Sequence, residues 1–190
     1  MQIDMNKLTP MMKQYLEVKN RYKDCILFFR LGDFYEMFFE DALVASKALE
    51  IALTGKACGL EERAPMCGVP FHSANSYISK LVENGYKVAI GEQMEDPSTA
   101  KGIVRREVIR VITPGTVLDG NLLENKKNNY LLSLYKDGTN IGLTYVDIST
   151  GETNATCLNE DKVIEEIAKI HPTEIIINDL DFIEKLRDIA

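Results

Sequence analysis

Apolar and polar positions change period repeatedly along the chain, from the steps of three and four that mark a helix face to the short continuous runs that mark buried strands. Thr9-Pro10 opens the first helical stretch with an N-cap hydroxyl and a proline at the first helical position, and Met12, Tyr15, Leu16 and residues 19–22 carry its period. Cys25-Ile26-Leu27-Phe28-Phe29-Arg30-Leu31 is a nearly unbroken apolar run of strand length, which Gly32-Asp33 ends with a turn pair. Phe34 stands just after that turn. Phe38, Ala42, Ala45 and Leu49 then predict an amphipathic helix to about residue 50, so Phe34-Tyr35-Glu36 is expected at a strand-to-helix junction. Residues 51–54 read as a short strand and residues 55–65 as a surface loop. Tyr77, Ile78, Leu81 and Val82 form the apolar face of a helix capped by Ser73 or Asn75 and ended by Asn84-Gly85. Residues 86–90 and 104–113 read as strands on either side of an Asp96-Pro97-Ser98 loop.

The second half has another rhythm. Residues 130–135, 141–148 and 153–158 make a three-strand antiparallel meander, with Lys136-Asp137-Gly138-Thr139 and Thr150-Gly151-Glu152 as its turns. Val163, Ile164, Ile167, Ala168 and Ile170 mark a helix over 161–170, His171-Pro172 stops it, residues 173–178 read as a buried strand, and residues 180–190 begin another helix. The fold class is therefore α/β: a mixed-sheet domain over 1–115, a polar linker over 116–127, and over 128–190 a second domain. Three strands, helix, strand, helix is the opening of a ribonuclease H-like fold, which is incomplete here.

Composition changes the picture in two places. With 190 residues and 45% hydrophobic content the chain can bury a core, no run approaches the roughly 18 apolar residues of a membrane span, and Met1-Gln2-Ile3-Asp4 is no secretory leader. A cytoplasmic protein without membrane association is expected. Cys25, Cys58, Cys67 and Cys157 have no Cys-x-x-Cys spacing, and only His72 and His171 are available to join them, so reduced, mostly buried thiols are expected rather than a metal site or disulfides. The net charge of −7 argues against a uniformly basic nucleic-acid binder. Its distribution matters more: residues 1–115 carry 15 Lys+Arg against 15 Asp+Glu, whereas residues 116–190 carry 7 against 14. Any basic face belongs to the first part, where residues 13–30 and 101–110 concentrate cations, unless these are ordinary solvated charges.

Residue types alone leave the Gly32-Asp33-Phe34-Tyr35-Glu36-Met37-Phe38-Phe39 stretch open. Its aromatics fit a core, with Phe34/Phe38 and Tyr35/Phe39 as i, i+4 pairs, and Glu36 fits a solvated acid in a first helical turn. Yet Gly32-Asp33-Phe34-Tyr35-Glu36 resembles the Gly-x-Phe-Tyr-Glu signature of the MutS family of DNA mismatch repair proteins. Further similarity follows in the family's order: Thr54, Met66-Cys67-Gly68-Val69-Pro70-Phe71-His72, Ala89-Ile90-Gly91-Glu92-Gln93, Asp96-Pro97 and Arg110-Val111-Ile112-Thr113-Pro114-Gly115-Thr116. Gly91 departs from the Cys of many relatives, at a position without a role in the mechanism below.

The resemblance implies a mismatch-recognition domain followed by a truncated connector domain, an N-terminal piece of a longer protein. It implies that Phe34 wedges into mismatched double-stranded DNA and that Glu36 hydrogen-bonds the displaced base. Tyr35 is expected in the core. Lys56, His72 and Arg110 are candidate contacts to the DNA backbone, although His72 suits a structural hydrogen bond in a turn, and Lys56 and Arg63 suit plain solvation. For the whole protein the resemblance implies a homodimer, a MutL-type partner and a DNA-dependent ATPase using ATP and Mg. This stretch has no Gly-x-x-x-x-Gly-Lys-Ser/Thr phosphate loop, so no catalytic, cofactor or metal residue is assigned in it. Two other readings stand beside this one. The chain is a structural or partner-binding α/β piece with little DNA affinity of its own, or Asp147, on a strand of the meander, begins the carboxylate cluster of a ribonuclease H-like nuclease.

Overall fold

The computed structural model describes residues 4–96, 100, 102–117 and 128–187. Most of the expected 116–127 linker, the far side of the Asp96-Pro97-Ser98 loop and the last three positions of the expected final helix lie outside the described residues. The chain forms two compact units, Met1–Ile112 and Thr113–Ala190.

The first unit is built on a mixed sheet. Its elements are α1 (Pro10–Arg21), β1 (Cys25–Leu31), β2 (Phe34–Phe38), α2 (Phe39–Leu49), β3 (Thr54–Lys56), β4 (Ala64–Pro70), α3 (Ala74–Glu83), β5 (Lys87–Gln93) and β6 (Arg106–Ile112). Six strands lie in the order β3-β4-β2-β1-β5-β6, with β1 parallel to β5 and every other pair antiparallel. Alternation along each strand assigns its side chains to two faces. Leu27, Phe29, Phe38 and Ala89 share one core with Met12, Tyr15 and Val18 of α1, which therefore covers that face. Met37 and Cys67 point the other way, where the Cys67 thiol meets the Ala42 carbonyl of α2 at 3.6 Å. Phe28 and Phe29, on opposite faces, are both fully buried, each contributing about 1.5–3 kcal/mol. The helix starts where its sequence signal lies: Thr9 Oγ1 accepts from Met12 N–H at 3.4 Å, with Pro10 at the first position.

The motif stretch differs from its expected form. Phe34-Tyr35-Glu36 is not a strand-to-helix junction but the first half of β2, an inner strand between β1 and β4. Phe34 and Phe38 share a face but sit about 13 Å apart along it, at ~3.3 Å per residue, so the expected aromatic pair does not form. Only at Phe39, in the left-handed region with φ 52°, does the chain turn into α2. Residues 64–70, expected as the end of a loop and the start of a motif, form β4, and the short strand expected at 51–54 lies at Thr54–Lys56. Pro65 and Pro70 near the ends of β4 disguise it, since proline is a strand breaker except where its missing N–H is not needed.

In the second unit β7 (Tyr130–Asp137), β8 (Asn140–Asp147) and β9 (Glu152–Asn159) form the expected meander, followed by α4 (Glu160–Ile170), β10 (Glu174–Ile177) and α5 (Leu180–Arg187). The sheet order is β10-β7-β8-β9, with β10 parallel to β7. Leu132, Leu134, Ile141 and Leu143 pack with Val163 and Phe182. The Glu174–Ile177 strand, expected to be buried, is an edge strand with Ile175 and Ile176 exposed, and of its three isoleucines only Ile177 packs against the core. No described helix is long and apolar enough to cross a membrane.

Candidate nucleic-acid interface

A two-residue turn presents Phe34. Gly32, at φ 58°, takes the first turn position, as tight hairpins with a leading glycine require, and Leu31 and Phe34 close the ladder behind it. Phe34 lies between Leu31 and Pro70 and is 46% exposed, with no other aromatic ring against it among the described residues. The core reading of this ring does not hold. Phe71 N–H donates to Asp33 O at 2.9 Å, bringing a second exposed ring to the same end of the sheet. Arg30 braces this rim: its Nε donates to Gly32 O at 2.5 Å and its guanidinium lies 3.6 Å from the Phe71 ring centroid.

Glu36 shares the Phe34 face, about 7 Å along the strand at ~3.3 Å per residue. It lies between Phe29 and Gly68. A Cβ at Gly68 would press on the Tyr35 carbonyl at 3.2 Å and reach ordinary contact with Glu36 Cγ at 3.5 Å. Lys56 Nζ grips Glu36 Oε2 at 2.5 Å, while Glu36 Oε1 has no partner among the described residues. The remaining expected residues separate. Tyr35 is buried as expected, its ring 5.8 Å from Phe28 and its hydroxyl donating to Glu92; burial, reinforced by that carboxylate, pushes its pKa up to about 12. His72 is exposed on the short turn Phe71–Ser73, edge-on to Phe71 at 6.0 Å. It makes no side-chain hydrogen bond among the described residues, against expectation; Ser73 Oγ, donating to Pro70 O at 3.2 Å, braces the turn instead. Arg63 is not simply solvated, since its Nη2 donates to Gly55 O at 2.5 Å. Arg110 is exposed on β6 opposite Ile90, and the register carries it to the face away from Phe34 and Glu36.

Sequence reasoning passed over Arg106. It is 7% exposed, donates from Nε to Arg30 O at 2.5 Å and from Nη1 to Val104 O at 2.8 Å and Gln14 Oε1 at 3.1 Å, and lies 5.2 Å from the Phe29 ring centroid. Burial pulls its pKa down from the ordinary arginine value, and the nearby Glu36 carboxylate opposes that pull. A cation inside the run Val104-Arg105-Arg106 carried no pattern that marked it as buried.

Asp147 is committed elsewhere. Its carboxylate accepts from Ser149 Oγ at 2.6 Å and from the N–H groups of Ser149, Asn129 and Thr150 at 2.9, 3.1 and 3.3 Å. The Ser149 hydroxyl first, then these amides, hold its pKa below the ordinary carboxylate value. It is the keystone of a turn, with four hydrogen bonds to its carboxylate. Among the described residues no three His, Cys, Asp or Glu side chains are grouped to hold a metal ion. Cys25, Cys58 and Cys67 are buried and Cys157 is exposed; burial pushes the Cys25 and Cys67 thiols up to about 11.

Comparison with known proteins accounts for both units. Residues 9–121 match the family model of MutS domain I and residues 129–186 that of MutS domain II. The DNA mismatch repair protein MutS of Acetivibrio thermocellus is 65% identical over 178 residues, 92% of this chain and 20% of the relative. Its namesakes are 64% identical in Alkaliphilus oremlandii, over 90% of this chain and 20% of the relative, and 63% in Clostridium botulinum, over 90% and 19%. The chain thus spans about a fifth of the length of the curated relatives it matches. The domain I model over residues 9–121 and the domain II model over residues 129–186, which together cover most of the chain, establish that it belongs to the MutS family.

Proposed function

We propose that the first unit recognises base–base mismatches and small insertion/deletion loops in duplex DNA and thereby starts mismatch repair. The observation that carries this is Phe34: a large ring left half in solvent, on a strand fixed from both sides. Paired bases hide in a stack, and unstacking one step costs about a few kcal/mol. A mismatch has already lost part of that stabilisation. A ring pressed into the minor groove therefore kinks mismatched DNA at lower cost than matched DNA, and discriminates through deformation without reading sequence. Glu36 Oε1, still unpaired, then accepts a hydrogen bond from the edge of the displaced base. On intact duplex no base is displaced toward it, and the carboxylate near phosphates is unfavourable. His72, on the same rim, is a proposed contact to the backbone.

The test is fluorescence-anisotropy binding to a G·T duplex and its matched control by a full-length MutS carrying this chain at its N-terminus. Phe34→Ala is expected to weaken G·T binding by about 1–3 kcal/mol, the worth of one base–aromatic stack. Matched binding should stay nearly unchanged. A preference that survives would place the mismatch reader elsewhere.

For the longer protein we propose, from family membership, a cytoplasmic, nucleoid-associated homodimer that works with a MutL-type partner as a DNA-dependent ATPase. This stretch has no Gly-x-x-x-x-Gly-Lys-Ser/Thr phosphate loop, and the ATP and Mg chemistry is proposed for the rest of the longer protein.

A further inference from the structure

We infer that Lys56 is a specificity-determining residue that acts through Glu36, by fixing which carboxylate oxygen is offered to the DNA. The inference rests on the mismatch-reading role proposed for Glu36. It assigns Lys56 a part different from a phosphate contact.

Three observations point this way. Lys56 Nζ lies 2.5 Å from Glu36 Oε2, and both side chains are partly covered, at 34% and 16% exposure, so the pair is less open to solvent screening than an ordinary surface pair. The two residues reach each other from different strands, Lys56 from β3 and Glu36 from β2, across β4 with its glycine opposite Glu36. The ammonium also lies 5.6 Å from the Phe38 ring centroid, which gives the lysine a second fixed neighbour on the same face. One carboxylate oxygen is thus tethered and the other left open. A glutamate with free torsions would have to lose them on binding. Lys56 removes that penalty before DNA arrives, and it does so for the Glu36 contact specifically.

A phosphate contact and a positioning residue make opposite predictions. Loss of a phosphate contact weakens matched and mismatched binding alike and lowers the salt dependence. Loss of a residue that holds Glu36 lowers the ratio of mismatched to matched affinity, and only while Glu36 is present.

The experiment is a double-mutant cycle on G·T and matched duplexes, in a full-length MutS carrying this chain at its N-terminus, with far-UV circular dichroism to confirm folding. Lys56→Met is expected to lower the mismatch-to-match affinity ratio by about fivefold or more, within the coupling range of side chains in contact. In the Glu36→Gln background the same change should leave the ratio unmoved. Lys56→Arg, which keeps the cation, should restore most of it. If Glu36→Gln lowers the ratio but Lys56→Met lowers both affinities equally, Lys56 is a phosphate contact and the inference fails while the reading of Glu36 stands. If Glu36→Gln leaves the ratio untouched, both fail together.

Discussion

Gly68 shows how far a single missing Cβ reaches. The atom it lacks would crowd Tyr35 O at 3.2 Å, and the sheet around it is fixed by ladders on both sides. Gly68→Ala is expected to cost about 1–3 kcal/mol, as overpacking does, measured as a lower urea midpoint at an unchanged slope. Single residues were unevenly legible in the sequence. The placement of Tyr35 in the core follows from alternation once β2 is known. The exposure of Phe34 does not follow from composition, since an aromatic-rich stretch fits a core as well as a surface, and the resemblance was what separated the two. Arg106 was illegible because its burial depends on the Arg30 carbonyl and the Gln14 side chain, brought from β1 and α1.

At the scale of elements, the end of β2 is finished by side chains rather than by backbone. Where β2 leaves the sheet, Asp41 Oδ2 accepts from Leu27 N–H at 3.0 Å and from the Tyr15 hydroxyl at 2.9 Å, while Tyr15 Oη accepts from Phe38 N–H at 3.3 Å. Lys19 closes the group at 2.8 Å from Asp41 Oδ1. One carboxylate joins α1, β1 and α2, and burial, with Asp41 beside it, raises the Tyr15 pKa well above its ordinary value. Asp41→Ala would leave a lysine and a backbone N–H without their partner. It should destabilise the first unit by about 3–5 kcal/mol in urea unfolding, as breaking a buried pair does. The β8–β9 turn gives a pH signature. Its keystone Asp147 has a native pKa below the unfolded value of about 3.9. Its stabilisation is therefore whole above about pH 4 and is lost as pH falls through the lower native value. Asp147→Asn should flatten the pH dependence of second-unit stability in that acid range, followed by fluorescence of the Tyr130–Tyr145 pair. Helices and the meander were readable because their periods are long and their caps explicit. β2 and β4 were not, because five residues of strand precede a helix without a polar break, and prolines sit near both ends of β4.

At the scale of the molecule, charge sets a limit. The acidic excess lies after residue 115, and several cations of the first part are engaged: Lys19 by Asp41, Lys56 by Glu36, Lys87 by Asp24, and Arg106 by carbonyls. The chain by itself is therefore expected to bind DNA weakly. Its log-affinity slope against log salt should be no steeper than about −3, the value for roughly three neutralised phosphates. Anisotropy titrations from 50 to 200 mM KCl, about a Debye length of 14 to 7 Å, would measure it. The α/β class and the two-unit plan needed only periodicity and composition; the arrangement of the face that carries Phe34 needed the order of strands, which no local pattern supplies. That order has one more consequence. Phe34 sits on an inner strand, laddered to β1 and β4, beyond a turn braced by Arg30. A ring so mounted has little freedom to adapt, and on the proposed function the duplex does the bending. Encounter with matched and mismatched DNA then proceeds at similar speed, and what differs is how long each complex lives: discrimination is a matter of residence time.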